Sequence, residues 1–287
     1  MLLSDKLFIA VRRGSLNVYH RGMSLFRIDE GRDGTISPKI HIKFLVRNQQ
    51  ALAELQADGT FSLPQSAPEI CWARYEPGKT LPDIITAAAN FAGPEKAGLH
   101  SLIMRHSNVI DVEASLARTD NDDSTKQDRL DAITLEPQQD GIALVFHEAK
   151  HFTNADLREP SDKPRVVDQL SRYRQTIEQN QNWLRERYQA TCENRVRIHT
   201  MQSCVRADQG KQTRQRDSSV QQVADRGRNL IIDPEPRLII YGFDDDQKKG
   251  RLSRTIQTLE QAGVDGRRIY AVGNLAKAEG AFRPIAP

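Results

Sequence analysis

The sequence is poor in cysteine, which limits both its chemistry and its compartment. Its 287 residues include only three cysteines, Cys71, Cys192 and Cys204, and no two of them form a close pair along the chain. A disulfide framework is therefore excluded, and a zinc knuckle formed by the last two with His199 lacks the close cysteine pair that such sites use. Because disulfides are typical of oxidising compartments, the composition predicts a cytoplasmic protein.

Long apolar runs are also missing. The longest, such as Ile142–Phe146 and Leu238–Phe243, have the length of strands and fall far short of the roughly 20 residues of a membrane-spanning helix. Near the N-terminus, Asp5 and Lys6 interrupt the apolar residues that follow Met1, which is not typical of a signal peptide. The sequence therefore predicts neither a membrane span nor a membrane partner.

Neither sign of charge dominates the chain. It has 41 basic and 38 acidic residues, a formal net charge of +3, which excludes a polyanionic tail protein and a histone-like polycation. Charged residues make up 28% of the chain and aromatic residues 6%, and the mean hydropathy is −0.60. At roughly 150 residues per domain, this length predicts about two domains in a charge-rich globular protein.

The sequence contains two differently patterned parts. Residues 1–93 carry short segments with β-branched or aromatic residues, separated by Arg-Gly pairs, and this predicts a small β-rich N-terminal module. From residue 94 to residue 287, a helix, three strands, a long helix and a further strand–helix–strand alternation predict an α/β domain. The predicted strands are Val109–Ala117, Arg129–Glu136, Ile142–Phe152, Arg237–Phe243 and Arg267–Val272, and the long helix runs from Ser161 to about Tyr188.

Two of these strands predict a hairpin that brings two acids together. Asp140-Gly141 is a strong turn signal between them. If residues 138–141 form the loop, Pro137 faces Ile142, and counting back along both strands places Asp131 opposite Glu148. Directly opposed residues have Cβ atoms about 4.5–5.5 Å apart, and Lys150 lies on the same strand face as Glu148 because side chains alternate.

Two acids and a lysine on one sheet face suit metal-assisted hydrolysis of a phosphodiester. The two carboxylates repel each other unless a cation lies between them. A Mg²⁺ ion binds one or two protein carboxylates and keeps water molecules, one of which can attack phosphorus. Lys150 would orient that water and offset the phosphate charge.

This arrangement resembles the PD-(D/E)XK nuclease superfamily, in which an acid on one strand is followed by Glu-x-Lys on the next. Asp131 matches the acid and Glu148-Ala149-Lys150 matches Glu-x-Lys, and the resemblance covers about half of the chain. It implies an αβββαβ core with a mixed sheet, and Mg²⁺- or Mn²⁺-dependent cleavage of DNA in bacterial or phage DNA processing or defence. Asp131, Glu148 and the Ala149 carbonyl would hold the metal, and Asp131, Glu148 and Lys150 would form the catalytic set.

Auxiliary residues extend the match. Gln169 and Tyr173 are four residues apart on the predicted helix, as in the Q-x-x-x-Y element of the RecB-like and lambda-exonuclease-like branch, whose members place them beside the active site. Tyr173 also fits the apolar stripe of the helix and is equally explained as a core residue. Glu113 lies on the polar side of the first strand and is a candidate further acid, or a solvated surface residue.

The stretch around residues 205–228 is the most polar part of the second domain and is predicted to be an insertion. Its basic residues are a candidate nucleic-acid-binding arm, although a solvated loop or helix explains them as well. The candidates are Arg206, Lys211, Arg214 and Arg216. DNA is the expected partner, with an activating protein or a second copy of the chain left open, as are RNA cleavage and the choice between endonuclease and exonuclease.

Two other functions fit parts of the same motif. His147-Glu148-x-x-His151 has the spacing of a zinc protease, which needs the two histidines on one face of a helix. The predicted strand disfavours this hypothesis. In the second alternative, the acids and Lys150 form an ion pair in a non-catalytic nucleic-acid-binding or assembly protein with a degenerate nuclease fold.

Overall fold

The computed structural model describes residues 3–12, 14–45, 52–62, 72–117, 127–158, 163–213, 215–273, 275 and 280–282. The chain divides into two compact units, Met1–His100 and Ser101–Pro287. The sequence prediction put the boundary between residues 93 and 94, whereas the units divide a few residues later, inside a helix. In the described part of the chain, no helix has both the length and the apolar composition needed to cross a bilayer.

The first unit contains a six-stranded antiparallel sheet in which each strand pairs with the next along the chain. Val18, Leu25 and Ile40 are buried in its core together with Ile84 and Ala88 from the first helix. The β-rich character predicted for this region is therefore present. The strands are β1 (Phe8–Arg12), β2 (Ser15–His20), β3 (Met23–Glu30), β4 (Ile36–His41), β5 (Leu52–Leu55) and β6 (Phe61–Ser62), followed by helices α1 (Thr80–Ala89) and α2 (Pro94–Ile103).

The second unit contains a mixed sheet flanked by helices. Its strands are β7 (Val109–Ala117), β8 (Gln127–Gln138), β9 (Gly141–His151), β10 (Leu230–Ile232), β11 (Arg237–Tyr241) and β12 (Ile269–Gly273). They lie in the order β12-β11-β9-β8-β7, with β10 beside the first half of β9. Strands β7, β8 and β9 are antiparallel, whereas β10 and β11 run parallel to β9, and β12 runs parallel to β11. The fold is therefore mixed α/β.

The second unit has two helices where the sequence pattern predicted one. The helices of this unit are α3 (Arg165–Gln179), α4 (Gln181–Asp208), α5 (Ser218–Ala224), α6 (Asp245–Gln247) and α7 (Ser253–Gln261), with a π turn (Lys248–Leu252) between the last two. The single helix predicted from Ser161 to about Tyr188 is wrong, because the chain bends at Asn180, whose side chain donates to the Thr176 carbonyl, and α4 continues past Tyr188 to Asp208. The predicted start at Ser161 lies outside the described residues. The buried stripe continues through Ile177 and Leu184, so the bend leaves no trace in the apolar pattern.

The predicted hairpin register between β8 and β9 is confirmed. Pairing runs from Gln138↔Gly141 through Pro137↔Ile142 to Ala132↔His147. The loop is shorter than predicted, because Gln138 and Gly141 already belong to the ladder and only residues 139 and 140 make the turn. The register is unaffected, since both loops place Pro137 opposite Ile142.

A buried ion pair joins β8 to β11 on the opposite sheet face from the predicted site. The Arg237 guanidinium lies 2.6 Å from Glu136 Oε1, and both side chains are almost fully buried. Truncating one partner of such a pair leaves the other charge uncompensated in a low-dielectric interior.

We predict that Arg237→Ala lowers the free energy of unfolding by about 3–5 kcal/mol, measured by chemical denaturation of the full chain. Arg267→Ala is the matched control, because Arg267 pairs with Asp265 at the surface, where ion pairs contribute little. Equal stability of the two variants would contradict a structural role for the buried pair.

Candidate functional site

Asp131, Glu148 and Lys150 come together where β8 separates from β9. The last pair of the β8–β9 ladder is Ala132↔His147. Beyond it, the Ala149 N–H donates a hydrogen bond of 2.8 Å to Oδ2 of the Asp131 side chain instead of to a backbone carbonyl of β8. Glu148 and Lys150 are buried, and Lys150 Nζ lies 2.8 Å from Glu148 Oε1. The three side chains named from the sequence therefore form one cluster.

The cluster lies on the sheet face that packs against α3. The alternate β9 residues Ile142, Leu144 and Phe146 belong to the same apolar core as Tyr173 and Ile177 of that helix. Side chains alternate along a strand, so Glu148 and Lys150 continue the row that begins in this core. The side chains on this face of β9 are thus apolar in its first half, where they pack in the core and hold the strand in place, and charged in its second half, where the site lies.

Electrostatic repulsion between acids dominates the site. Burial raises the pKa of Asp131 well above its ordinary value, and the negative charges of Glu148 and Glu113 raise it further. The Ala149 N–H and the positive charge of Lys150 oppose this shift. A single ammonium group therefore faces an excess of carboxylates, and an additional cation would stabilise their charged forms.

Lys150 has a second acidic neighbour that sequence reasoning missed. Its Nζ lies 3.4 Å from Asp156 Oδ2, and Asp156 is held in the 3₁₀ turn Ala155–Leu157, where the Asn154 side chain accepts a hydrogen bond from the Asp156 N–H. The turn folds back toward the end of β9, a tertiary feature that neither spacing nor periodicity reveals. The lysine is thereby held between two carboxylates.

Glu113 adds a strained backbone position to the site. The β7–β8 pairs on either side, Val112↔Ala132 and Ala114↔Leu130, place Glu113 opposite Asp131. Its φ of 50° is unusual for a residue other than glycine and costs energy. The carboxylate lies 3.4 Å from the Arg129 guanidinium and is mostly buried. Three neighbouring strands thus each contribute a carboxylate to one row.

Tyr173 contacts the strand that carries Asp131, and Gln169 contacts Tyr173. Gln169 Nε2 donates to Tyr173 Oη (2.6 Å), and the tyrosine hydroxyl donates to the Arg129 carbonyl on β8 (2.7 Å). Burial raises the pKa of Tyr173, and Glu148 adds to the shift. The ring of Tyr173 is also part of the apolar core. The residue is therefore both a core residue and a neighbour of the acids.

The two histidines of the protease-like motif lie on the other face of β9. His147 shares a 2.9 Å hydrogen bond with Thr134 Oγ1, and its ring packs edge-on against Phe282. The His151 ring contacts Tyr241. In a strand the two histidines are separated by roughly 13 Å along the chain direction and point away from Glu148, so the three residues do not converge as they would on a helix.

The basic residues predicted as a nucleic-acid arm make local hydrogen bonds. Arg206 donates to the Gln212 carbonyl, Lys211 to Gln209 Oε1, and Arg216 to Gln221 Oε1. Arg206 lies in the last turn of α4 and Arg216 just before α5; residue Arg214 lies outside the described residues. The predicted polar insertion therefore includes the end of α4 and the whole of α5.

The oxygen atoms at the site are of the type that hard divalent cations bind. Among the described residues, no group of three or more His, Cys, Asp or Glu side chains is arranged to hold a metal ion, so a cation here would depend on Asp131, Glu148, backbone oxygen and water. The Ala149 N–H points to Asp131, and the carbonyl of a strand residue points to the same edge as its N–H, so a third oxygen faces this position. Two carboxylates, a carbonyl and water suit Mg²⁺ or Mn²⁺.

Comparisons with known proteins add no identification. The chain matches no protein-family model, no curated protein and no solved structure.

We predict that Asp131→Asn raises the melting temperature of the metal-free protein at pH 7 by a few degrees. Asparagine keeps an acceptor for the Ala149 N–H and removes the repulsion from Glu148. Because the pKa of Asp131 is raised in the folded state, its ionised carboxylate destabilises the folded wild type at pH 7. As the pH falls, the carboxyl becomes protonated and this penalty disappears, so the melting temperatures of the two proteins converge.

The measurement is thermal unfolding in EDTA between pH 4 and pH 7. Asp168→Asn is the control, since Asp168 is an exposed residue of α3 paired with Lys163. Adding Mg²⁺ or Mn²⁺ should stabilise the wild type more than Asp131→Asn. A lower melting temperature of Asp131→Asn in EDTA at pH 7 would show that the two acids do not repel each other.

Proposed function

We propose that the second unit is a nuclease domain of the PD-(D/E)XK type that hydrolyses DNA phosphodiester bonds with Mg²⁺ or Mn²⁺. The observation that carries this proposal is the convergence of Asp131, Glu148 and Lys150 at the point where β8 leaves β9. The element order gives further support, because β7, β8, β9 and α3, followed after α4, α5 and β10 by β11, match the βββαβ part of that core. A cytoplasmic enzyme of bacterial or phage DNA processing or defence would fit.

Asp131, Glu148 and the Ala149 carbonyl would hold the ion. When bound, a divalent cation supplies Lewis-acid polarisation of a phosphoryl oxygen and lowers the pKa of a coordinated water. Asp131 is fixed for this role by the Ala149 N–H, and β9 presents Glu148 from a rigid, buried strand. The acids therefore need no rearrangement of the backbone to act together.

Lys150 orients the attacking water and offsets the negative charge that develops on the phosphate. Its ammonium has three donors, so it can contact a water while it remains beside a carboxylate. When Glu148 binds the ion, Asp156 remains beside Lys150 as its acidic partner. The lysine thus stays in the site through the reaction.

A non-catalytic role is favoured by one observation, the direct 2.8 Å contact between Lys150 and Glu148. A buried ion pair of this kind needs no metal to be satisfied. The two functions differ in their response to metal, because a binding protein with a purely structural pair would gain no stability from Mg²⁺ or Mn²⁺.

We predict that the wild-type protein cuts plasmid DNA in Mg²⁺ or Mn²⁺ and not in EDTA, and that Glu148→Ala and Lys150→Ala reduce the rate at least about 100-fold. Lys150→Ala should retain metal binding, measured by the metal-dependent thermal shift, since it removes a competing cation. Linear and circular substrates distinguish exonuclease from endonuclease action.

His151→Gln is the matched control, because it changes the same strand on the opposite face and should leave cleavage intact. A fully active Lys150→Ala variant would remove this lysine from the mechanism. Absence of cutting with every metal, together with no thermal shift, would favour the binding protein.

A further inference from the structure

Arg158 and Arg251 lie in the second unit outside the ion-pair networks of the sheet. Neither forms an ion pair with any residue in the described ranges, whereas Arg174, Arg237 and Arg268 each contact an acid. Both side chains are exposed. They are therefore available to a ligand of negative charge.

The Arg158 guanidinium is fixed close to the site. It stacks 4.1 Å from the centre of the Phe152 ring and donates to the Phe152 carbonyl. Phe152 follows Lys150 by two residues and packs with Leu238 and Ile240, which are the β11 partners of Glu148 and Lys150. Arg158 is thus held on the sheet face that carries the acids and the lysine.

Arg251 lies close enough to Arg158 for their charges to interact. It lies in the π turn Lys248–Leu252, and its neighbour Leu252 is buried in one apolar cluster with Phe152 and Leu157. Although Arg158 is exposed overall, partial desolvation of its guanidinium and the positive charge of Arg251 lower its pKa, so the two guanidinium groups repel each other. An isolated π turn often marks a functional position in a helix.

More positive charge surrounds Arg251 along its helix. The residues Lys248, Lys249 and Arg254 are exposed. The acids that precede them stand at the N-terminus of α6, where Asp244 is used in a capping box with Gln247. Arg251 therefore lies in an exposed basic stretch of the chain that runs from Lys248 to Arg254.

We propose that Arg158 and Arg251 bind a backbone phosphate of the nucleic-acid strand that enters the site of Asp131, Glu148 and Lys150. The inference rests on the proposed function and assigns its substrate contact. Guanidinium groups donate parallel hydrogen bonds that match phosphate oxygens, and a bound phosphate removes the repulsion between the two arginines. The Phe152 contacts hold Arg158 in place before the strand arrives.

The test compares two double variants of the full chain with equal loss of charge. Arg158→Gln/Arg251→Gln removes the proposed contact, and Arg206→Gln/Lys211→Gln removes two charges from the polar stretch predicted from the sequence. Binding of a fluorescent 30-base-pair DNA duplex is followed by anisotropy in EDTA at several NaCl concentrations. In EDTA no metal-dependent cleavage interferes.

The first double variant should bind at least about tenfold more weakly and lower the slope of log affinity against log salt by about 1, the counterion release of one phosphate contact. The control should change the slope by clearly less. Arg251→Gln alone, which removes no described hydrogen bond or ion pair, should lose part of the affinity and is the variant to use if the double variant is unstable.

Equal changes in the two double variants, an unchanged slope in the first, or no binding by the wild type would overturn the phosphate site. Failure of the proposed function looks different: DNA binding that depends on Arg158 and Arg251 without cleavage in any metal would reject the nuclease and keep the phosphate site. Cleavage with arginine-independent binding would reject the phosphate site alone.

Discussion

The hydrogen bond from the Ala149 N–H to the Asp131 carboxylate is the contact on which the rest of the site depends. It replaces a backbone-to-backbone bond at the end of the β8–β9 ladder, so the two strands can separate without leaving a buried donor unsatisfied. The same bond fixes an acid beside Glu148. One interaction therefore ends the pairing of two strands and creates the position at which two carboxylates meet.

The two faces of the sheet balance their charges differently. On one face, Glu136 is directly paired with Arg237, and this pair is satisfied within the fold. On the other, Glu113 is paired with Arg129, while Asp131 and Glu148 share the positive charge of Lys150. Such an imbalance costs stability, as does the left-handed backbone of Glu113. A charge excess that the fold does not neutralise is what a functional cation site requires.

The sequence predicted the parts of the site that depend on local rules. A turn signal and the period-2 alternation of β9 were enough to place Asp131 opposite Glu148. Asp156 was not predictable, because a 3₁₀ turn returns it to Lys150 by tertiary packing. The bend at Asn180 was hidden by an apolar stripe that continues across it. The nearness of Arg251 to Arg158 depends on tertiary packing, in which Leu252 and Phe152 share a core. Residues distant in sequence and without periodic spacing thus carried no local signal.

The register of one hairpin decides which chemistry β9 presents. A slip by one residue exchanges the two faces of a strand, so it would bring His147 and His151 to the side of α3 and turn Glu148 and Lys150 toward Arg237 and Thr134. The apolar residues Leu144 and Phe146 would leave their core at the same time, and the loss of their burial opposes the slip. The packing that stabilises the first half of β9 therefore also selects the carboxylate and lysine, rather than the histidines, as the groups available for function.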